Sequence, residues 1–256
     1  MLRLVSWRGH VFLEAGWLLY DGPVAPTTSH AHHAFQVVLA SEPALRIVAG
    51  NDEIAVTSCV IPPDASHAFA SAAPRAVLLY VAPESREGRQ LAKRFVDAVA
   101  APSSWIHAAT GLTEGTATQI VSWVEARRVR DSVIAQLVPE ETRARPWPPA
   151  IQRLVTILPD RLDAPLRFAA LARELEVSES RLAHLVTEHL GVPFRPYVLW
   201  LRLQRAAAEL AHGRTLTEAA HHAGFADGAH LSRVFRRMFG IAPSELAAFA
   251  QWHLPD

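Results

Sequence analysis

The spacing of hydrophobic and polar positions changes near residue 83. Before it, apolar runs such as VFLEAGWLLY, FQVVLA, ALRIVA, IAVTSCVI and AVLLYVA have strand length, and turn-forming DGP, SEP, GND and PPDAS separate them. Several short strands at that spacing predict a sandwich or small barrel. From Pro83 onward, ESREGRQLAKRFVDAVA and TATQIVSWVEARRVRDSVIAQL carry apolar residues three and four apart, as amphipathic helices do. The proline- and charge-rich VPEETRARPWPPA reads as a linker, a helix over about Ile151–Leu158 follows, and the pattern stays helical to Phe249.

The helical part contains a repeat. From Ser178 and from Asp227 two segments align without a gap at an offset of 49, setting Leu182 on Leu231, Leu185 on Val234, Val186 on Phe235, Leu190 on Phe239 and Gly191 on Gly240. Ser178 and Asp227 suit helix N-caps, and the two glycines suit helix C-termini. Thr215 and Glu218 fit a capping box, and Gly224 sits at the following turn, where positive φ is cheap. Two copies of a helix–turn–helix unit account for this pattern.

Composition changes the picture little. The 256 residues carry no net charge and include one cysteine, Cys59, so no intramolecular disulfide forms, in keeping with a reducing compartment. Cys59 reads as a small core residue on a strand. The N-terminus has no long apolar run before Glu14, and no segment is long and apolar enough to span a bilayer, so a cytoplasmic location with no membrane partner is expected. Charge over 161–256 is eleven arginines against ten carboxylates, modest for a nucleic-acid binder.

Local charge is more informative. On the helix from Gly228 to Phe239, Leu231, Val234, Phe235 and Met238 share an apolar face, while Ala229, Ser232, Arg233, Arg236 and Arg237 share the other. Small residues permit close approach to a major groove, and arginine bonds guanine edges or phosphates through its forked donors. The matching face of the first unit offers Ser180, Arg181, Ala183, His184 and Thr187, with Glu179 and Glu188 opposing phosphate. Arg195, Arg202 and Arg205 lie on or near the helical rod between the units, either as phosphate contacts or as a solvated face.

The segment from about Pro165 to Phe249 resembles the DNA-binding domain of AraC/XylS-type transcription regulators. LARELEVSESRLAHLV, PYVLWLRLQRAAAEL and TEAAHHAGFADGAHLSRVFRRMFGIAPSEL carry the resemblance, which covers about a third of the chain. It implies that one protomer binds two successive major-groove segments of double-stranded DNA. By motif position, Ser180, Ala183 and His184 would face bases from the first unit, and Gly228, Ala229 and Arg233 from the second. Gly228 and Ala229 lack polar side chains where the family often has them.

The stretch SHAHHAFQ places His30, His32, His33 and Gln36 close together. On a strand, alternate side chains share a face, so His30, His32 and Gln36 would point one way and His33 the other. HAHHAFQ resembles the first metal motif of cupin barrels, with Gln36 in place of the acid. Pro62-Pro63-Asp64-Ala65-Ser66-His67 resembles the second, with Asp64 in place of glycine. The resemblance implies His30, His32, Gln36 and His67 as ligands of a divalent metal, for which Zn²⁺, Ni²⁺ and Fe²⁺ are chemically suited. Otherwise these residues line an effector pocket or are barrel histidines with no ligand.

The expected fold class is α+β and multi-domain, with a cupin-like sensor barrel over 1–83 and a helical linker or dimerisation region over 84–145. An all-α domain of two helix–turn–helix units follows over 146–256. The expected function is a sequence-specific DNA-binding transcription regulator, not an enzyme, controlled by a small-molecule or metal effector. A homodimer, with Ile120, Val121 and Val124 at the interface or in the core, belongs to that expectation, as does contact with RNA polymerase if the protein activates. The alternative is a metal-dependent cupin enzyme with a DNA-binding appendage.

Overall fold

The structure, a computed structural model, describes residues 7–40, 45–95, 104–105, 111–112, 118–138, 146–247 and 250–255. The expected turn at 41–43, the end of the helix over 96–100 and most of the 138–150 linker fall outside them. The chain forms two compact units, residues 1–144 with 235–256, and residues 145–234.

The first unit is built on two sheets. One has six strands in the order β6 (Ser58–Ile61), β3 (Phe35–Ala40), β8 (Ala73–Val81), β2 (Trp17–Val24), β1 (His10–Glu14) and β9 (Gln251–His253). The other has three, β5 (Asp52–Val56), β4 (Leu45–Ala49) and β7 (Ala68–Phe69). The run VFLEAGWLLY is a hairpin rather than one strand, because Gly16 at φ +89° turns β1 into β2. Every residue of β3 is buried, since β3 lies between β6 and β8, which puts Gln36 opposite Tyr80. Cys59 on β6 is fully buried, and burial pushes its thiol up, as its core reading required.

Two helices pack on the larger sheet, α1 (Arg86–Arg94) and α2 (Trp123–Leu137), and share a single hydrophobic core with Phe12, Leu19, Val37 and Leu79. The described residues of α1 and α2 therefore share one unit with the two sheets. α2 starts later than the apolar pattern alone indicates, because Ser122 and Glu125 form a capping box there. Its buried stripe is Ala126, Val129, Val133 and Leu137. Ile120 is buried, but Val121 and Val124 are 50% and 79% exposed, so those two are not core. Asp21, fully buried, takes two hydrogen bonds from Arg75 and one from the Ile120 amide, which fixes the entry to α2 on the sheet.

The chain's end returns to this unit. β9 pairs in parallel with β1, the His10 and His253 rings hydrogen-bond at 3.0 Å, and His253 stacks on Phe12 at 4.4 Å. Trp123 Nε1 donates to the Leu254 carbonyl at 2.9 Å. Residues 235–256 thus group with the first unit and 145–234 form the second.

The second unit contains α3 (Pro149–Ile157), a 3₁₀ turn (Pro159–Arg161), α4 (Phe168–Glu174), α5 (Glu179–Leu190), α6 (Phe194–Ala211), α7 (Leu216–His222) and α8 (Gly228–Phe239) as far as Val234. α9 (Pro243–Ala247) belongs to the first unit. The central rod α6 has 18 residues, about 27 Å at ~1.5 Å per residue. It buries Tyr197, Trp200, Leu201, Leu203 and Ala206.

Candidate DNA-reading faces and an imidazole site

Both helix–turn–helix units close by the same hydrogen-bond pattern. After α4, the Glu176 amide donates to Arg173 and Val177 to Ala172; after α7, Gly224 donates to His221 and Phe225 to Ala220. Each is a Schellman turn with its left-handed residue at Glu176 (φ +59°) or Gly224 (φ +76°). The second turn has one more residue, Ala226, which is why the gap-free match starts only at Ser178 and Asp227. Ser178 Oγ accepts from the Arg181 amide at 3.2 Å, and Asp227 Oδ1 from the His230 amide at 2.6 Å, so both caps are in place. The Thr215–Glu218 capping box is present too.

On α5, Leu182, Leu185, Val186 and Leu190 are buried, and Ser180, Arg181, Ala183, His184 and Thr187 are exposed. His184 Nε2 lies 3.4 Å from the Glu188 carboxylate, so this face carries a negative group beside its imidazole. On α8, Leu231, Val234 and Phe235 are buried, whereas Ala229, Arg233, Arg236 and Arg237 are exposed. Among the described residues no carboxylate pairs with Arg233, Arg236 or Arg237. Met238 is only half-buried.

Two expected α8 contacts are differently placed. Ser232 Oγ donates to the Gly228 carbonyl one turn back at 2.8 Å, which occupies its hydroxyl proton. A side chain at Gly228 would meet Leu216 and Thr217 of α7 at 3.6 Å, so that position faces the neighbouring helix. On the rod, Arg202 Nε donates to the Leu162 carbonyl at 3.1 Å and Arg205 to Pro159 at 3.2 Å. These two arginines hold the 3₁₀ turn; only Arg195 of the three is left as a plain exposed residue.

In the first unit, His30, His32 and His67 come together with one ring nitrogen each within 4.8 Å of the others, and all three are buried. Strand alternation is not the reason. The stretch 31–34 lies outside any strand, since β3 begins at Phe35, and His30 instead bridges to His67 by paired backbone hydrogen bonds of 2.9 Å. His33 is buried as well, and leaves the cluster because its Nδ1 bonds Asp64 Oδ2 at 2.8 Å. Asp64 adopts φ +62°, the left-handed conformation that a glycine at this motif position would supply and that aspartate tolerates.

The ring protons can be assigned from chemistry. His30 Nδ1 faces the Thr28 carbonyl and His67 Nδ1 the Ala65 carbonyl, both at 2.9 Å, so each Nδ1 carries a proton and donates it. Their Nε2 atoms are then lone-pair donors to any ligand. Gln36 Oε1 lies 2.9 Å from His32 Nε2 and 3.0 Å from His67 Nε2, while Gln36 Nε2 donates to the Tyr80 hydroxyl at 3.1 Å. Neutral His67 and a carboxamide oxygen are both acceptors. Their contact needs a shared positive centre, or a Gln36 amide turned so that its NH₂ serves both imidazoles and its oxygen accepts from Tyr80. A shared proton is disfavoured at neutral pH. Burial, then the His30 charge, pushes His32 down to about 4, and burial lowers His67 well below the ordinary histidine value. His32 Nδ1 is buried near the Ala34 backbone without a well-formed hydrogen bond.

Tyr80 and Phe239 complete the surroundings and had no signal in the local sequence. The Phe239 ring lies 6.1 Å from His32 and 5.9 Å from Tyr80. Both reach the site through long-range packing.

Residues 171–248 match the family model described as a helix-turn-helix domain. Over 90 residues the chain is 32% identical to the uncharacterized HTH-type transcriptional regulator YpdC of Escherichia coli (strain K12), covering 35% of this chain and 32% of that protein. Over 119 residues it is 27% identical to the HTH-type transcriptional regulator ArgR of Pseudomonas aeruginosa, covering 46% of this chain and 36% of that one. These matches span about a third of the relatives' length. The structure is similar to that of ToxT from Vibrio cholerae, with a TM-score of 0.56 and 13% identity over 91% of this chain and 98% of that one. That likeness is one of fold, and it covers residues of both units. Among the described residues no helix is long and apolar enough to cross a membrane. Residues 171–248 thus match a helix-turn-helix domain that transcriptional regulators also carry, and the chain holds it together with an N-terminal β-rich domain.

Proposed function

We propose that the chain is a sequence-specific DNA-binding transcription regulator whose barrel senses an effector at the imidazole site. The observation that carries this reading is the exposed arginine face of α8, which no carboxylate among the described residues pairs, in a helix–turn–helix unit duplicated by α5. Exposed guanidinium groups on a helix whose small residues allow close approach are suited to guanine edges and phosphates. The test is a footprint of the purified protein on its own upstream DNA. Arg233→Ala with Arg236→Ala should weaken binding by roughly a hundredfold and reduce the slope of log affinity on log salt by about 2. Unchanged binding and slope would overturn the reading.

The donor set at the imidazole site fits a divalent transition metal. Three buried imidazoles converge there, and two of them donate the far ring proton to a carbonyl, as metal-ligating histidines do. His30, His32 and His67 would hold the ion, with Gln36 as an oxygen donor, and Zn²⁺, Ni²⁺ or Fe²⁺ suits this set. Catalysis is the weaker use of such a site. The nearby acid, Asp64, is committed to His33, and no other carboxylate among the described residues joins the cluster. The reading includes a non-enzymatic sensor in the cytoplasm, a homodimer, and RNA polymerase as partner if the protein activates. A small organic effector is the second form of this reading. It draws support from ToxT, solved in an unsaturated fatty acid bound form, which shares this fold with a TM-score of 0.56.

A further inference from the structure

The end of the second reading helix rests on the imidazole site. The Thr28 amide and the Thr28 hydroxyl both donate to the Gly240 carbonyl, each at 3.0 Å, and the Thr28 carbonyl in turn accepts the His30 Nδ1 proton. His32 stacks against Phe239, the last residue of α8. Gly240, at φ +72°, closes α8 by donating its amide to the Arg236 carbonyl at 2.8 Å. A Cβ on Gly240 would fall 2.5 Å from the Thr28 carbonyl oxygen and 2.6 Å from His30 Nδ1, so only glycine permits this approach. Two of the three imidazoles therefore touch the terminus of α8. His67, the third, hangs from the Ala65 carbonyl.

We propose that a divalent transition metal held by His30, His32 and His67 fastens the C-terminal end of α8 to the barrel, linking metal occupancy to the order of the second reading helix. This rests on the metal form of the sensor reading. Ligation fixes the orientation of an imidazole, and the orientation of His30 sets the direction of its bond to Thr28. Thr28 is the residue that holds Gly240, so the constraint passes through two hydrogen bonds. His32 acts in parallel by giving the Phe239 ring a fixed surface. Arg233, Arg236 and Arg237 stand on the same helix, so the link reaches the groups that read DNA. Linkage is reciprocal: whatever loosens the end of α8 weakens the metal.

Two measurements on the full chain test this. Co²⁺ absorption and Zn²⁺ competition report occupancy, and amide hydrogen exchange over residues 236–242 reports the helix end. Saturating Zn²⁺ should slow exchange there tenfold or more in the wild type, leave the amides of α5 unchanged, and have no effect in His67→Ala, a variant that removes a ligand without touching α8. Gly240→Ala, which pushes a methyl group against His30, should weaken Zn²⁺ binding tenfold or more. Phe239→Ala, which leaves the turn intact, should weaken it severalfold. Zn²⁺ bound with unchanged exchange at 236–242, or with unchanged affinity in Phe239→Ala, overturns the link and leaves the metal site standing. Absence of Co²⁺ and Zn²⁺ binding overturns the metal reading, and the link with it.

Discussion

The two helix–turn–helix units share a hydrogen-bond plan and differ in what surrounds it. In the first, the left-handed turn residue is Glu176, exposed to solvent. In the second it is Gly224, where any Cβ would run into the Leu162 carbonyl and the Arg202 side chain. The final glycines differ likewise. Gly191 (φ +80°) is exposed, while Gly240 is buried and needs both its angle and its missing side chain. The candidate reading faces also part company, with a His184–Glu188 pair on α5 and three arginines on α8 that no carboxylate among the described residues pairs. A duplicated motif therefore keeps its local geometry, which is cheap, while its long-range packing assigns the copies different work. The second copy is held by close packing at its turn and at its end.

The largest break in that comparison comes from Gly224→Ala. The left-handed conformation costs an alanine about 1 kcal/mol, and forcing a methyl group into packed backbone adds about 2. Urea denaturation should therefore register a loss of about 3 kcal/mol, against about 1 for Gly213→Ala after α6, where φ is +80°, a Cβ meets nothing and only the backbone term applies. Equal losses would mean that the two glycines do the same work. Glu176→Gly acts in the opposite direction. Relieving a left-handed glutamate should raise stability by about 1 kcal/mol, less what glycine returns to the unfolded chain. A fall in stability would show that the Glu176 side chain has a role its exposure conceals.

The DNA-facing contrast yields a smaller effect. Glu188 places a carboxylate beside His184 on α5, and α8 has no counterpart among the described residues. Glu188→Gln should tighten DNA binding about threefold at low salt, an advantage that fades as salt screens the surface. Binding titrations at two salt concentrations decide this, since an affinity that falls, or that is unmoved at both, would put the carboxylate off the DNA side.

What the sequence made legible follows the same division between local and distant. The caps at Ser178, Thr215 and Asp227, the turn at Gly224 and the buried stripes of α5 and α8 are all set within a few residues, and all were readable. His30, His32, Gln36 and His67 were readable as a group because their spacing is a motif. The reason for leaving out His33 was not, because it depends on Asp64 across a turn rather than on strand alternation. The β9–β1 pairing, which brings together histidines 243 residues apart, has no local signature. Nor does the approach of Gly240 to His30, since that glycine already satisfied the sequence pattern as a helix C-cap. A residue explained by a local rule can hide a distant one.

The smallest effect concerns how the leading helices of the two units begin. α7 starts with a capping box in which Glu218 accepts from the Thr215 amide and hydroxyl, each at 2.8 Å. α4 starts at Arg167 with no side-chain cap. The Thr215 amide, then its hydroxyl, holds the Glu218 carboxyl below the ordinary glutamate value. A depressed folded-state value means that the folded protein binds this proton less readily than the unfolded chain. The stabilisation is therefore complete above the ordinary glutamate value and is lost as pH falls through the folded one. Because Glu218 is solvent-exposed, the change should be confined to fraying of the first turn of α7. Amide exchange at Thr215 and Glu218 should quicken beyond the intrinsic pH dependence in acid, and Glu218→Gln should remove that excess. The first turn of α4, with no carboxylate cap, should show none. An equal acid response at both helix starts would mean that the pH dependence belongs to the unit as a whole and not to the cap.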